Sequence, residues 1–193
     1  MGTTRRSAVS RGVLAAGAAA ALVAALGTGS PAAADEGAQA AAAAKSTVSM
    51  RLDARGPHFT GSRQVAAGQM LRIRNLSDPK KIGPHTFTLV AANVLPKSRK
   101  AMRNCFTPGK ICLTAAIAHE FDEKTEKVNK PLVEAGKLGW DKRFSRTVRS
   151  GDSWYSETKG ETFEQVVSAK AGTILRYMCI VHPEMQGKIR VTG

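Results

Sequence analysis

Three side chains near the end of this 193-residue chain have the types and spacing to do chemistry. Within Tyr177-Met178-Cys179-Ile180-Val181-His182-Pro183-Glu184-Met185-Gln186-Gly187, a thiol, an imidazole and a thioether recur every third residue, at Cys179, His182 and Met185. Sulfur donors combined with imidazole suit copper. Two His and one Cys in a trigonal arrangement, with a weak axial Met, make a one-electron transfer site. The loop supplies only one imidazole. Gly83-Pro84-His85-Thr86-Phe87 offers the second, with Pro84 restraining the chain just ahead of His85. A buried Cys, a surface His and a core Met are each ordinary alone; the four positions together point to a metal.

A site drawn from two distant segments needs strands to bring them together. Residues 174–179 (ILRYMC) read as a strand running into the loop, and Gln186-Gly187 turns out of it toward a closing strand at 188–192 (KIRVT). His85 opens an alternating strand with Phe87 and Leu89 on one side. Val48, Met50 and Leu52 share one face of residues 46–55, and Leu71 and Ile73 alternate with Arg72 and Arg74. Shorter strand signals follow at 151–156 (GDSWYS) and 162–167 (TFEQVV). Turn chemistry separates these runs, at Gly56-Pro57, at Asn75-Leu76-Ser77-Asp78-Pro79 and at Ala169-Lys170-Ala171-Gly172-Thr173. Turn-bounded short strands predict an all-β sandwich.

With His85 followed by Cys179-x-x-His182-x-x-Met185, the chain resembles the blue-copper cupredoxin family, in particular its amicyanin- and plastocyanin-like members with a short ligand loop. The resemblance covers residues 46–92 and 150–193. It implies a Greek-key β-sandwich holding one type 1 copper ion. His85, Cys179, His182 and Met185 are the implied ligands, with both histidines binding through Nδ1. It also implies that Asn75 braces the region near the first ligand. Many members follow the first histidine with asparagine, where this chain has Thr86. Short-loop members often place an aromatic residue before the methionine, where this chain has Glu184. Tyr177, Met178, Ile180 and Val181 are expected to keep water from the site, and Pro183 to stiffen the loop.

The first residues read as an address, not as fold. Arg5, Arg6 and Arg11 precede an apolar run, VLAAGAAAALVAAL, and Ala32-Ala33-Ala34 stands before Asp35. That order predicts a signal peptide at 1–34. Arg5-Arg6 fits twin-arginine export, and the general secretory route fits as well. Residues 35–45 are an Ala-rich leader expected to be flexible. One domain, 46–193, remains, with no membrane span in the mature form. Without the three signal-peptide arginines, 26 basic residues stand against 15 acidic, a net charge of +11. Such an excess steers encounters with acidic partners and anionic envelope surfaces; export argues against specific nucleic-acid binding.

Residues 93–149 interrupt the strand pattern. Ser98 is a candidate helix cap, and Leu113, Ile117 and Phe121 form an apolar stripe at helical spacing, alongside Ala116, Glu120 and Lys124. Glu123 with Lys127, and Glu126 with Lys130, are i,i+4 pairs on such a helix. Pro131 is expected to open another helical turn through Leu132 and Val133 that closes near Gly136. The segment is predicted as a helical insertion across the sandwich, shaping a docking face. Cys105 and Cys112 flank a Pro-Gly turn inside it, and in an exported protein such a pair is expected as a disulfide. The alternative is a second metal site with His119, although the six-residue gaps match no familiar ligand signature. His58, isolated in a loop, reads as surface.

The functional expectation is an exported, monomeric, single-domain type 1 copper protein shuttling one electron between redox partners. An extracytoplasmic copper carrier or buffer, handing over metal from the same ligands, is the alternative. An enzyme is not expected. Copper oxidases and nitrite reductases need a further catalytic copper site, and His58, His85, His119 and His182 do not supply a second set.

Overall fold

The computed structural model describes residues 45–135 and 139–193. The signal peptide expected at 1–34, the leader at 35–45 apart from Lys45, and the turn at Gly136 lie outside the described residues. Two β-sheets face each other. The first carries β1 (Ser46–Asp53), β2 (Gly56–Gly61), β4 (Met70–Asn75) and β10 (Thr162–Val166), in the order β10-β4-β1-β2. The second carries β3 (Gln64–Ala66), β5 (His85–Val90), β8 (Leu132–Val133), β9 (Ser153–Ser156), β11 (Ile174–Met178) and β12 (Gln186–Thr192). Its order is β3-β12-β11-β5-β9-β8. The fold is the all-β sandwich with a helical insertion that the sequence implies.

The alternation read from the sequence determines what meets between the sheets. Val48, Met50, Leu71 and Ile73 from one sheet, and Phe87, Leu89, Leu175, Tyr177, Ile189 and Val191 from the other, are buried in one core with Trp140 and Trp154. Period-two strands place these residues on a single face. β5 is different, because all six of its residues are buried. It lies between β11 and β9, and it is covered on both faces. Phe87 and Leu89 enter the core between the sheets, while Val90 enters a second cluster with Met178, Ile180, Val133, Phe144 and residues of the insertion.

The insertion departs from its sequence reading in three places. Helix α2 (Arg99–Arg103) is capped by Ser98 as expected, its hydroxyl accepting from the Ala101 N–H at 3.1 Å. Helix α3 (Ile111–Ala118) stops short of Phe121 and does not turn its apolar stripe inward. Ile117 is 67% exposed and Phe121 42%, whereas Ile111, Cys112, Ala115 and Ala116 are buried. Small residues win the buried face because they let the helix backbone approach the sheet. Beyond the helix, Glu120 and Glu126 adopt left-handed backbone (φ 54° and 55°). A hairpin of β6 (Phe121–Asp122) and β7 (Lys127–Val128) replaces the expected helical continuation. The Glu123/Lys127 and Glu126/Lys130 pairs therefore do not lie on a helix. The Lys130 N–H donates to the His119 carbonyl at 3.0 Å, closing the hairpin. Leu132 and Val133 pair with Trp154 and Ser153 as a strand, not a helical turn. Packing against the sheet decides which face of α3 is buried, pairing across a tight hairpin replaces the helical continuation, and pairing with β9 makes Leu132–Val133 a strand; helical periodicity reports on none of these.

Candidate metal centre

Strand β5 delivers His85 from a turn built for the purpose. Asp78 caps a short helix, α1 (Pro79–Ile82), accepting the Lys80 N–H at 3.1 Å. Gly83 then takes φ 85°, a conformation that favours glycine, so that Pro84 and His85 enter the sheet. Strand β11 ends at Met178, and Cys179 follows on the inward-facing side set by Leu175 and Tyr177. The loop folds back on itself, with the Met185 N–H donating to the His182 carbonyl at 2.8 Å and the Cys179 N–H to the Met185 carbonyl at 3.0 Å. The Gln186 amide donates to the carbonyls of Pro183 and Pro96, both at 2.8 Å, tying the loop to the start of the insertion.

The result is a cluster of donor atoms. One ligand atom each from His85, Cys179 and His182 lies within 4.8 Å of the others. The Cys179 Sγ is 3.8 Å from Nδ1 of His85 and 3.6 Å from Nδ1 of His182. The rings themselves are tilted by 41° with centroids 4.8 Å apart. Bond lengths of about 2.0–2.3 Å from nitrogen and sulfur to a first-row ion put such donors about 3.5–3.8 Å apart around one centre. The spacing therefore fits a single metal ion. Met185 is buried in the same loop, its backbone clamped to Cys179.

Protonation agrees with that fit. Nε2 of His182 is 2.9 Å from the Ile82 carbonyl, which can only accept, so the hydrogen sits on Nε2 and the Nδ1 lone pair faces the sulfur. His85 is fully buried, and its pKa is lowered to about 4, first by burial and then by His182. It is neutral at ordinary pH, as a ligand must be. Its Nε2 has no hydrogen-bond partner among the described residues. Burial pushes the Cys179 thiol up, against hydrogen bonds from the Thr86, His182 and Val181 backbone and the Thr86 side chain. Those same bonds are already aimed at a sulfur that carries charge once a cation draws its proton off.

Polar side chains around the cluster build its surroundings. Thr86, in the position where asparagine is common in the resembled family, donates its backbone N–H to the Cys179 Sγ at 3.3 Å. Its hydroxyl oxygen accepts the Ile180 N–H at 2.9 Å. Asn75, expected as a brace, is buried; its amide donates to Ser156 Oγ at 3.1 Å and its carbonyl oxygen accepts the Ser77 N–H at 3.1 Å. Ser156 is the register partner of His85, so Asn75 ties the preceding turn to the strand beside the site. Only an amide–hydroxyl pair far apart in sequence carries this link, and no local pattern announces it.

The remaining candidates do not join the cluster. Cys105 and Cys112 are bonded to each other, with Cα atoms 5.1 Å apart, so the alternative metal site with His119 is not formed. His119 bonds instead to the Lys130 carbonyl and to Ser153, both at 2.7 Å. His58 lies against the Gly56 carbonyl and beside Arg55 and Asp53. No helix among the described residues is long and apolar enough to cross a membrane.

No family model and no curated protein matches the chain. Among solved structures it is similar to a purple cupredoxin from Nitrosopumilus maritimus, with 12% identity, 77% of this chain and 100% of that chain covered, and a TM-score of 0.38. It is also similar to auracyanin B, at 14% identity, with 76% and 87% covered and a TM-score of 0.39. Auracyanin A, a blue copper protein from Chloroflexus aurantiacus, gives 20% identity, 76% and 96% covered and a TM-score of 0.38.

Proposed function

We propose that this chain is an exported type 1 copper protein that carries one electron at a time between redox partners. The observation that carries the reading is the convergence of Nδ1 of His85, Sγ of Cys179 and Nδ1 of His182 at metal-ligand spacing, on a buried and internally braced scaffold. Copper, when bound, supplies the one-electron couple. The residues of the chain do the rest: Cys179 as thiolate, His85 and His182 as neutral imidazoles, and Met185 as the weak fourth donor. His85 and Cys179 are each fully buried and held by strands, so the donors need to move little as charge changes. Tyr177, Met178 and Ile180 exclude water from the sheet side. His182, less buried than the other two donors, is the edge through which an electron enters or leaves.

The partner on this reading is acidic. A cleft of about 710 Å³ between β2 and β12 is lined by Arg55, Arg63, Lys188 and Arg190, and of these only Arg55 has a carboxylate partner, Asp53, among the described residues. Such a surface raises encounter rates with negatively charged proteins.

The test is a visible spectrum of the mature protein titrated with Cu(II), beside Cys179→Ala. An intense thiolate-to-copper band that saturates at one equivalent in the wild type, and is absent in the variant, is the expected result. A band that decays as a chelator removes the copper moves the protein to the copper-carrier class. Absence of any band in the wild type overturns the copper reading.

A further inference from the structure

The cleft between β2 and β12 has unpaired main chain on both of its sides. β2 is the last strand of its sheet and pairs only with β1. The Ser62 N–H donates to the Thr47 carbonyl at 2.8 Å, so the even-numbered residues of this run turn their peptide groups toward β1. Peptide groups alternate in direction along a strand. Phe59 therefore turns its N–H and C=O outward, as Pro57 does its C=O, and Phe59 lines the cleft. Across the cleft, the Arg190 N–H donates to the Arg63 carbonyl and the Thr192 carbonyl accepts the Ala67 N–H, both at 2.9 Å. The even-numbered residues of β12 thus turn toward β3. That strand begins only at Gln64, the register partner of Arg190. Lys188, two residues earlier, turns its N–H and C=O to the same side with no strand beside them, and it too lines the cleft.

The charged side chains around these groups are of one sign. Arg55, Arg63, Lys188 and Arg190 line the cleft, and no carboxylate does. Arg55 is engaged by Asp53 at 2.7 Å, while Arg63, Lys188 and Arg190 are exposed and make no ion pair among the described residues. An open strand edge invites pairing with another chain. Cations beside it select which chain: an acidic segment is drawn in, and a second copy of this protein, with a net charge of +14 over the whole sequence, is repelled. Cations and a proline can also serve only to keep strand edges apart, but that use needs neither a cleft nor a lining free of carboxylates.

We propose that the cleft takes an extended acidic segment of a partner protein, which adds as a further strand to the outer edge of β2. The main chain of the segment bonds to Phe59 and Pro57, and its carboxylates meet Arg63, Lys188 and Arg190. In strand addition the main-chain bonds supply affinity and the side chains supply choice. That the segment belongs to a redox partner rests on the copper reading above; its seat in the cleft does not. Tyr177 and Gly187 line the same cleft, and Tyr177 lies two residues before Cys179, so the docked segment sits against the strand that leads to the sulfur.

The probe is a short blocked peptide of alternating Glu and Val, titrated into the metal-free mature chain labelled with nitrogen-15. Saturable NMR shifts are expected at Phe59, Gly61 and Lys188. The Phe59 amide should exchange about tenfold more slowly in the complex, the factor for gaining one ordinary hydrogen bond. The same peptide N-methylated at every amide keeps each charge but cannot pair as a strand, and it should bind at least about tenfold more weakly. Arg63→Gln combined with Lys188→Gln should weaken the unmodified peptide about tenfold, through the loss of two ion pairs. Lys124→Gln combined with Lys159→Gln removes the same charge at exposed positions outside the cleft and should change binding by less than about twofold. Absence of saturable binding, equal binding of the N-methylated peptide, or equal weakening by the two double variants overturns the proposal; the last two would leave attraction by net charge alone. If the wild type gives no band with Cu(II), the copper reading and the redox role of the partner fail, while the titration still decides what the cleft takes.

Discussion

The two faces of the six-stranded sheet are covered by different chemistry. Toward the other sheet it presents Phe87 and Tyr177, which join a set of rings in contact: Tyr177 and Phe87 at 4.5 Å between centroids, Phe87 and Trp140 at 5.0 Å, and Trp140 and Phe163 of the facing sheet at 5.8 Å. Toward the insertion it presents Val90, Met178, Ile180 and Val133, together with the hydroxyls of Thr86, Thr88 and Ser153. Rings bury the most apolar surface per residue and prefer edge or offset contacts, so they fix how far apart the sheets stand. Small residues and hydroxyls instead let a short helix lie close, at the cost of polar groups that must find partners inside. The first face secures the position of His85 and Cys179. The second braces the start of the ligand loop, the Thr86 hydroxyl accepting the Ile180 N–H at 2.9 Å.

The largest expected effect separates those two roles. Phe87→Ala removes the ring at the centre of the aromatic contacts and should lower unfolding stability by about 3–5 kcal/mol, measured by denaturant titration. Because Phe87 is two residues from His85 on the same strand, copper affinity should fall with it. A loss below about 1 kcal/mol would mean that the rings do not set the spacing of the sheets. On the other face, replacing Cys105 and Cys112 together by Ala releases a short closed loop and should cost about 2–3 kcal/mol. The energy of the copper band should stay where it is, since neither residue touches the donor cluster; a shifted band would show that packing of the insertion reaches the site.

Gly187→Ala sharpens the comparison from the inner side. A Cβ at that position would run into the Tyr177 ring, and overpacking of this kind costs about 1–3 kcal/mol. Normal stability in a thermal melt would show that Tyr177 can swing away. The smallest effect is one of pH. Asp152 is held up to about 6 by burial, despite accepting the Asp141 and Lys142 N–H groups at 2.7 and 2.8 Å. The folded chain therefore binds more protons than the unfolded one between about pH 4 and 6, and this contribution to stability falls as pH rises through that window. Asp152→Asn keeps an acceptor for both N–H groups and removes the titration. Its melting temperature, compared with wild type across that range, should lose this downward component; parallel curves would place the Asp152 carboxyl in solvent-like surroundings.

How much was legible in the sequence follows the range of the interactions. The Cys179, His182 and Met185 spacing lies within one loop, and the alternation at Val48/Met50, Leu71/Ile73 and Phe87/Leu89 lies within single strands, so both could be read directly. The pairing of Cys105 with Cys112 also sits across one turn. The helix expected to run through Phe121 could not be judged locally, because the hairpin that replaces it is closed by bonds from Asn129 and Lys130 to Glu120 and His119.

By itself, the sequence determined the donor types, the strand or loop that carries each and the alternation that buries one face, because covalent spacing and side-chain period are local properties. Only the tertiary structure decided that Thr86 aims its backbone N–H at Cys179 and offers its hydroxyl oxygen to the Ile180 N–H, that Ile82 sets the tautomer of His182, and that His119 bonds to Ser153 and the Lys130 carbonyl. Each joins residues brought together by the sandwich, some of them about a hundred positions apart, and a hydrogen bond between such residues leaves no period in the chain for reading to find.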